Sequence, residues 1–188
     1  MLADFEIRKA NHDGLITIDR WDDGLLQPVS YDLRLDSSIR MAPHDVGLID
    51  PKGLSDRSDM VQPGGHEAYM LPHTIGEKGY QLFPGQFILA CTEETVTLSP
   101  HIAGRVEGKS SIGRLGVQVH ITAGFIDPGF SGQITLEIHN VAPWGVMLYP
   151  GMPIAQIVFE QVSPPERDYT RTGHYCGQRG PTESRYSL

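Results

Sequence analysis

Lys109, Ser110, Ser111 and Arg114 stand within six residues of one another, and a lone strand carboxylate, Glu137, follows. Two cationic side chains and two hydroxyls at a turn are a set of donors for phosphate oxygens. A lone carboxylate is a base that could activate water. Between them, residues 123–132 (AGFIDPGFSG) carry three glycines and a proline around Asp127, a composition that lets backbone approach a flat ligand closely. The stretch from 107 to 137 therefore reads as a nucleotide site.

Each feature has a plainer reading. The run GKSS at 108–111 invites comparison with a P-loop, but only three residues separate Gly104 from Gly108, where that motif needs about four. The following IGRLGVQV is also too rich in glycine and β-branched residues for the long helix a P-loop feeds. A different phosphate turn, or an ordinary polar turn, remains. In 134–139, alternation sends Ile134, Leu136 and Ile138 to one face and Thr135, Glu137 and His139 to the other. Taken alone, that pattern fits a strand whose charged face meets water. The glycine-rich corner could likewise be a wide hairpin. Zinc deaminase, GxSxG and HExxH signatures are absent, so a hydrolase built on this chain would activate water with a side-chain base.

The elements that must position these residues are short. With 21 glycines and 14 prolines in 188 residues, the apolar runs are brief and frequently interrupted, which predicts an all-β core. Strands are expected at 31–35, 86–93, 105–107, 117–121, 133–140, 145–148 and 153–159, as in a sandwich or distorted barrel. One short helix is expected at 4–12, and at most one turn at 110–115. Residues 42–77 read as a surface excursion with one hairpin, structural or lid-like. The 163–188 tail lacks apolar periodicity and reads as a segment that orders on ligand. The length suits one domain.

A net charge of −8 argues against nucleic-acid or acidic-membrane partners, so a polyanionic ligand must be held locally. Cys91 and Cys176 are far apart, which predicts neither a disulfide framework nor a thiolate zinc site and favours a cytoplasmic protein. Neither a signal-type leader nor an apolar run of membrane-spanning length is present in the sequence.

Six motifs in order give the chain a close resemblance to the dCTP deaminases of the trimeric dUTPase-like superfamily. They are QPVSYDLRL at 27–35, FPGQFILACTEE at 83–94, AGRVEGKSSIGRLG at 103–116, HITAGFIDPGFSGQITLE at 120–137, YPGMPIAQIVF at 149–159 and YCGQRGPTESR at 175–185. The resemblance implies a mainly β, distorted barrel or jelly-roll subunit with short peripheral helices. It implies a homotrimer whose active sites lie between subunits, and Mg2+ carried by the nucleotide triphosphate, with no zinc. The carboxylate matching Glu137 is then the general base, with Ser111 and the Ala123 carbonyl holding the water and Arg114 supporting the base site. The turn of Lys109, Ser110, Ser111, Ile112, Gly113 and Arg114 binds nucleotide, with Lys109 and Ser110 on the phosphates. Asp127 matches the deoxyribose contact, the Thr135, Leu136 and Glu137 backbone the base edge, and Gln156 a phosphate contact. Tyr169, His174 and Gln178 belong to a closing tail. His174 stands where relatives usually have lysine or arginine, which predicts a weaker or pH-dependent phosphate contact. The spacing from Tyr169 to Gln178 is shorter than in many relatives.

Within that family, the corner at 122–125 resembles the bifunctional actinobacterial type, whereas deaminase-only relatives often carry a bulkier residue at the position of Gly124. The expected function is thus deamination of dCTP followed by cleavage to dUMP and pyrophosphate, with dCTP and dUTP as ligands and dTTP as a candidate inhibitor. A deaminase that stops at dUTP, a plain dUTPase and a non-catalytic nucleotide-sensing trimer are the alternatives.

Overall fold

A computed structural model describes residues 1–43, 47–50, 69–167 and 169–185. Most of the 42–77 excursion, including any hairpin within 51–68, lies outside the described residues. The chain opens with helix α1 (Asp4–His12), which matches the expected bounds. Its entry is tied by Glu6, whose carboxylate accepts from the Ala3 N–H at 2.8 Å, and its inner face buries Ile7 and Ala10.

Strands follow: β1 (Ile16–Ile18), β2 (Leu26–Gln27), β3 (Ser30–Met41), β4 (Leu71–Thr74), β5 (Tyr80–Leu82), β6 (Phe87–Leu98) and β7 (Ile102–Gly108). The one-turn helix α2 (Ser110–Gly113) leads to β8 (Val117–Gln118), β9 (Phe125–Ile126), β10 (Ser131–Asn140), β11 (Val146–Leu148), β12 (Pro153–Gln161) and a closing helical turn, α3 (Tyr169–Thr172). Among the described residues, ten strands join in one curled antiparallel sheet whose main path runs β8-β10-β6-β3-β12-β7-β9, while β5 and β11 form a separate pair. The architecture is mainly β, as expected.

Every expected strand has a counterpart, but several are longer. β3 and β6 each run twelve residues because register shifts, one between Leu35 and Ile39, let them bend with the sheet and exchange neighbours. The expected strand at 117–121 shrinks to two residues, since the chain leaves β10 after Gln118 to build the glycine-rich corner. The core is formed by the inward faces of the long strands, with Tyr31, Leu33, Ile88, Leu136, Ile138, Ile157 and Phe159 fully buried. Alternation in β10 is regular, with every second residue buried and Thr135, Glu137 and His139 half-buried on the other face.

The tail packs against the sheet. Although aperiodic, it is docked on β10 through hydrogen bonds to its backbone and to the side chains of Gln133 and Thr135. The Gly177 N–H donates to the Ser131 carbonyl at 2.6 Å, the Gln133 N–H to the Gln178 carbonyl at 3.1 Å, and the Gly180 N–H to Gln133 Oε1 at 2.7 Å. Arg40 clamps it from β3, donating to the Pro181 carbonyl at 3.0 Å and to Glu183 at 3.1 Å. Polar pairing of this kind leaves no hydrophobic period in the sequence. Among the described residues, no helix is long and apolar enough to cross a membrane.

Candidate active site

The polar face of β10 becomes one wall of a cavity of about 400 Å3. Strand pairing with β6 sets Thr135 opposite Cys91 and Glu137 opposite Leu89, so both side chains emerge on the same side. The opposite wall is the 119–126 corner, and the tail supplies the roof through Tyr175, Gln178 and Thr182. Phe87, Phe125 and Phe130 make much of the lining apolar, which suits a flat ring with a few polar edges.

Glu137 is held in place by backbone. Its Oε2 accepts from the Ile121 N–H at 2.9 Å, fixing one oxygen and leaving the other available to a ligand or water. The corner is itself fastened to β7, where the Val106 N–H donates to the Gly124 carbonyl at 2.7 Å and Gly104 pairs with Ile126. Gly124 is therefore needed for closeness: a Cβ there would stand 2.7 Å from the Val106 carbonyl oxygen, inside any tolerable contact. Ala123, the next residue back, lines the cavity.

Gln178 is buried. Its Nε2 donates to the Gln133 carbonyl at 2.7 Å, while its Oε1 is buried without a partner among the described residues. An unpaired buried acceptor in a cavity wall is a place for a ligand donor. Thr135 Oγ1 accepts from the Thr182 N–H at 3.2 Å, joining the tail to the cavity wall. The close packing of tail on strand also explains Gly132, where a Cβ would stand 3.0 Å from the Gln178 carbonyl.

The phosphate turn is elsewhere. None of Lys109, Ser110, Ser111, Ile112, Gly113 and Arg114 lines the cavity that holds Glu137. Ile112 anchors the turn in the core, and Ser110, Ser111, Gly113 and Arg114 are exposed. Lys109 begins the turn: its carbonyl accepts from the N–H groups of Ile112 and Gly113, and its ammonium sits 2.6 Å from Asp32. Gln156 lies with this group, donating to the Gly108 carbonyl at 3.1 Å.

The remaining expected residues divide similarly. Leu136 has a fully buried side chain, so it can offer a ligand only main-chain groups. Asp127 is exposed, and its carbonyl accepts from the Phe130 N–H to close the corner. Tyr169 packs on Phe130 with ring centroids 6.1 Å apart, and burial pushes its phenol upward in pKa. It braces the tail and does not line the cavity. His174 is exposed, with its carbonyl taken by Arg185, and it too stands off the cavity.

The aromatic lining, Gln133 and Arg40 escaped notice in the sequence. Phe125 and Phe130 flank Asp127 symmetrically enough to have suggested a ring-binding wall; Gln133 and Arg40 act through contacts far apart in sequence and left no local sign. Among the described residues, no group of three or more His, Cys, Asp or Glu could hold a metal ion.

Comparison with known proteins gives a consistent result. The family model described as dCTP deaminase-like matches residues 1–162. The chain is 43% identical to a Beutenbergia cavernae protein named dCTP deaminase, dUMP-forming, over 98% of this chain and 94% of that one. It is 46% identical to a Nocardioides protein of the same name, over 98% and 94%. A crystal structure of 2′-deoxycytidine 5′-triphosphate deaminase from Agrobacterium tumefaciens superposes with a TM-score of 0.64 at 22% identity. It covers 86% of this chain, which spans about half (47%) of that one's length, and it bears on the fold alone. Fold, motif order and relatives agree that this chain belongs to the dCTP deaminase-like family.

Proposed function

We propose that the protein hydrolyses dCTP to dUMP, pyrophosphate and ammonia, deaminating the base without zinc and then cleaving the triphosphate. The observation that carries this reading is Glu137, a carboxylate pinned through one oxygen by the Ile121 N–H inside a ring-sized, largely apolar cavity. The names of the near-full-length relatives favour the dUMP-forming reaction, as does the steric need for glycine at 124.

Glu137 takes a proton from water, and the oxygen attacks C4 of cytosine. The C4–N bond then breaks. One water proton ends on ring N3, the other leaves in ammonia, and the oxygen becomes the C4 carbonyl of uracil. The Ala123 carbonyl, with Ser111 and Arg114, orients the water and the base. Gln178 and the Thr135–Glu137 backbone read the ring edge, and Asp127 meets the sugar. A second water, in line with the α-phosphate, then releases pyrophosphate.

Because Ser111 and Arg114 stand off the cavity of their own chain, a neighbouring copy must supply them, and we assign the protein to a homotrimer with shared sites. Lys109, Ser110, Ile112, Gly113 and Gln156 bind the triphosphate there. Their ammonium, hydroxyl and amide groups match phosphate oxygens, so Mg2+ would arrive on the nucleotide, where it would neutralise phosphate charge. Residues 163–188 act as the closing tail of a single domain, with Tyr169 as its brace and His174 close to the phosphates. The protein works in the cytoplasm, and dTTP, which shares the triphosphate and the ring shape, competes for the site. Separating the products of a dCTP incubation tests the reaction. Equal amounts of dUMP and pyrophosphate without free dUTP are expected; accumulating dUTP would reduce the activity to deamination, and no ammonia despite tight nucleotide binding would make the protein a sensor.

A further inference from the structure

We propose that Asp32 is a positioning residue that holds the phosphate-binding lysine ready for the triphosphate. This rests on the reading of Lys109 as a phosphate ligand. Three adjacent strands create the arrangement: Asp32 on β3 lies opposite Gln156 on β12, and Gln156 lies opposite Glu107 on β7, two residues before Lys109. Residues remote in sequence thus meet where β7 turns into α2.

The Lys109 ammonium is 2.6 Å from Asp32 Oδ2, with side-chain exposures of 21% and 7%. Gln27 Nε2 donates to the same oxygen at 3.3 Å, whereas Asp32 Oδ1 is buried with no partner among the described residues. The carboxylate is therefore neutralised chiefly by one lysine. Gln156 stiffens the backbone beside it, accepting from Ser30 Oγ at 3.0 Å and donating to the Gly108 carbonyl at 3.1 Å. Glu107 does not compete, because it pairs with Arg105 at 2.9 Å.

A lysine stem is flexible, and ordering it on ligand arrival weakens binding. An ammonium has three donors, so Lys109 can keep Asp32 and still offer the rest to phosphate oxygens. Asp32 thereby fixes the lysine in advance without occupying it.

A double-mutant cycle of Asp32→Asn, Lys109→Met and the pair separates this role from a structural one, using dCTP affinity by calorimetry, steady-state kinetics and thermal unfolding. Asp32→Asn should raise KM and Kd for dCTP about tenfold while changing kcat less than about twofold, the mark of a lost binding contact. The double variant should bind no more weakly than Lys109→Met, because the aspartate acts through the lysine. Lys109→Met should also unfold at lower temperature, having stranded a buried carboxylate, and Asp32→Asn should recover that loss in the same background. Multiplying affinity losses, an unchanged KM in Asp32→Asn, or failure of that variant to fold would each overturn the proposal. A wild-type protein that does not bind dCTP would instead defeat the functional reading beneath it.

Discussion

The cavity around Glu137 and the turn around Lys109 are built in opposite ways. The cavity is enclosed by a long strand, a glycine corner and a docked tail, and its key side chains are fixed by main-chain hydrogen bonds. The turn is short and exposed, with one lysine restrained by one carboxylate and its other polar groups open. In the proposed function the ring is recognised by shape and exclusion of water, which a cavity made within the chain can supply. The triphosphate proposed for the turn calls instead for donors that can close on a charged, flexible ligand. None of the turn's residues lines the cavity of its own chain, and that is the observation behind the proposal of a site completed by a second copy.

The sharpest way to test the cavity half is Glu137→Gln. The amide keeps size and the contact to Ile121 but cannot take the proton, so kcat for deamination should fall about 10²–10⁴-fold, with dCTP binding retained by calorimetry. Unchanged turnover would remove Glu137 from the chemistry.

Gly124→Ala probes the corner next. Its Cβ would lie 2.7 Å from the Val106 carbonyl oxygen, so the hydrogen bond between these residues must lengthen and Ala123 must move. We expect about 1–3 kcal/mol of lost stability in denaturant unfolding, a cost typical of overpacking, and at least about tenfold lower kcat/KM. A variant as active and stable as wild type would show that the corner tolerates displacement.

Arg40→Ala tests the tail with a smaller effect. It removes the clamp on Pro181 and leaves the buried Glu183 carboxylate unpaired. Faster proteolysis near the C-terminus and a severalfold rise in KM are expected, with kcat at saturation little changed. Equal protease resistance would mean that the Gln133 and Thr135 contacts hold the tail unaided.

Much of this was legible in the sequence because it depends on local pattern. Helix α1 carries its own apolar spacing, and β10 announces its two faces by strict alternation of Ile134, Leu136 and Ile138 with Thr135, Glu137 and His139. The likeness of six ordered motifs supplied roles that spacing alone could not. What stayed hidden is non-local. The pairing of Asp32 with Lys109 depends on register across three strands, and the docking of the tail depends on Gln133 and Arg40, distant from it in sequence. Tyr169, expected in the closing tail, packs on Phe130, a contact set by how the tail folds back.

The central claim is that one chain's cavity works with another chain's turn, and subunit mixing tests it directly. Glu137→Gln and Arg114→Ala proteins, each inactive alone, are unfolded together, refolded at equal ratio and assayed for ammonia release from dCTP. Random assembly of shared sites should restore about a quarter of wild-type activity, since each site then draws an intact cavity and an intact turn with even odds. No recovery from mixed oligomers would contradict the account and place both halves of the site within a single chain.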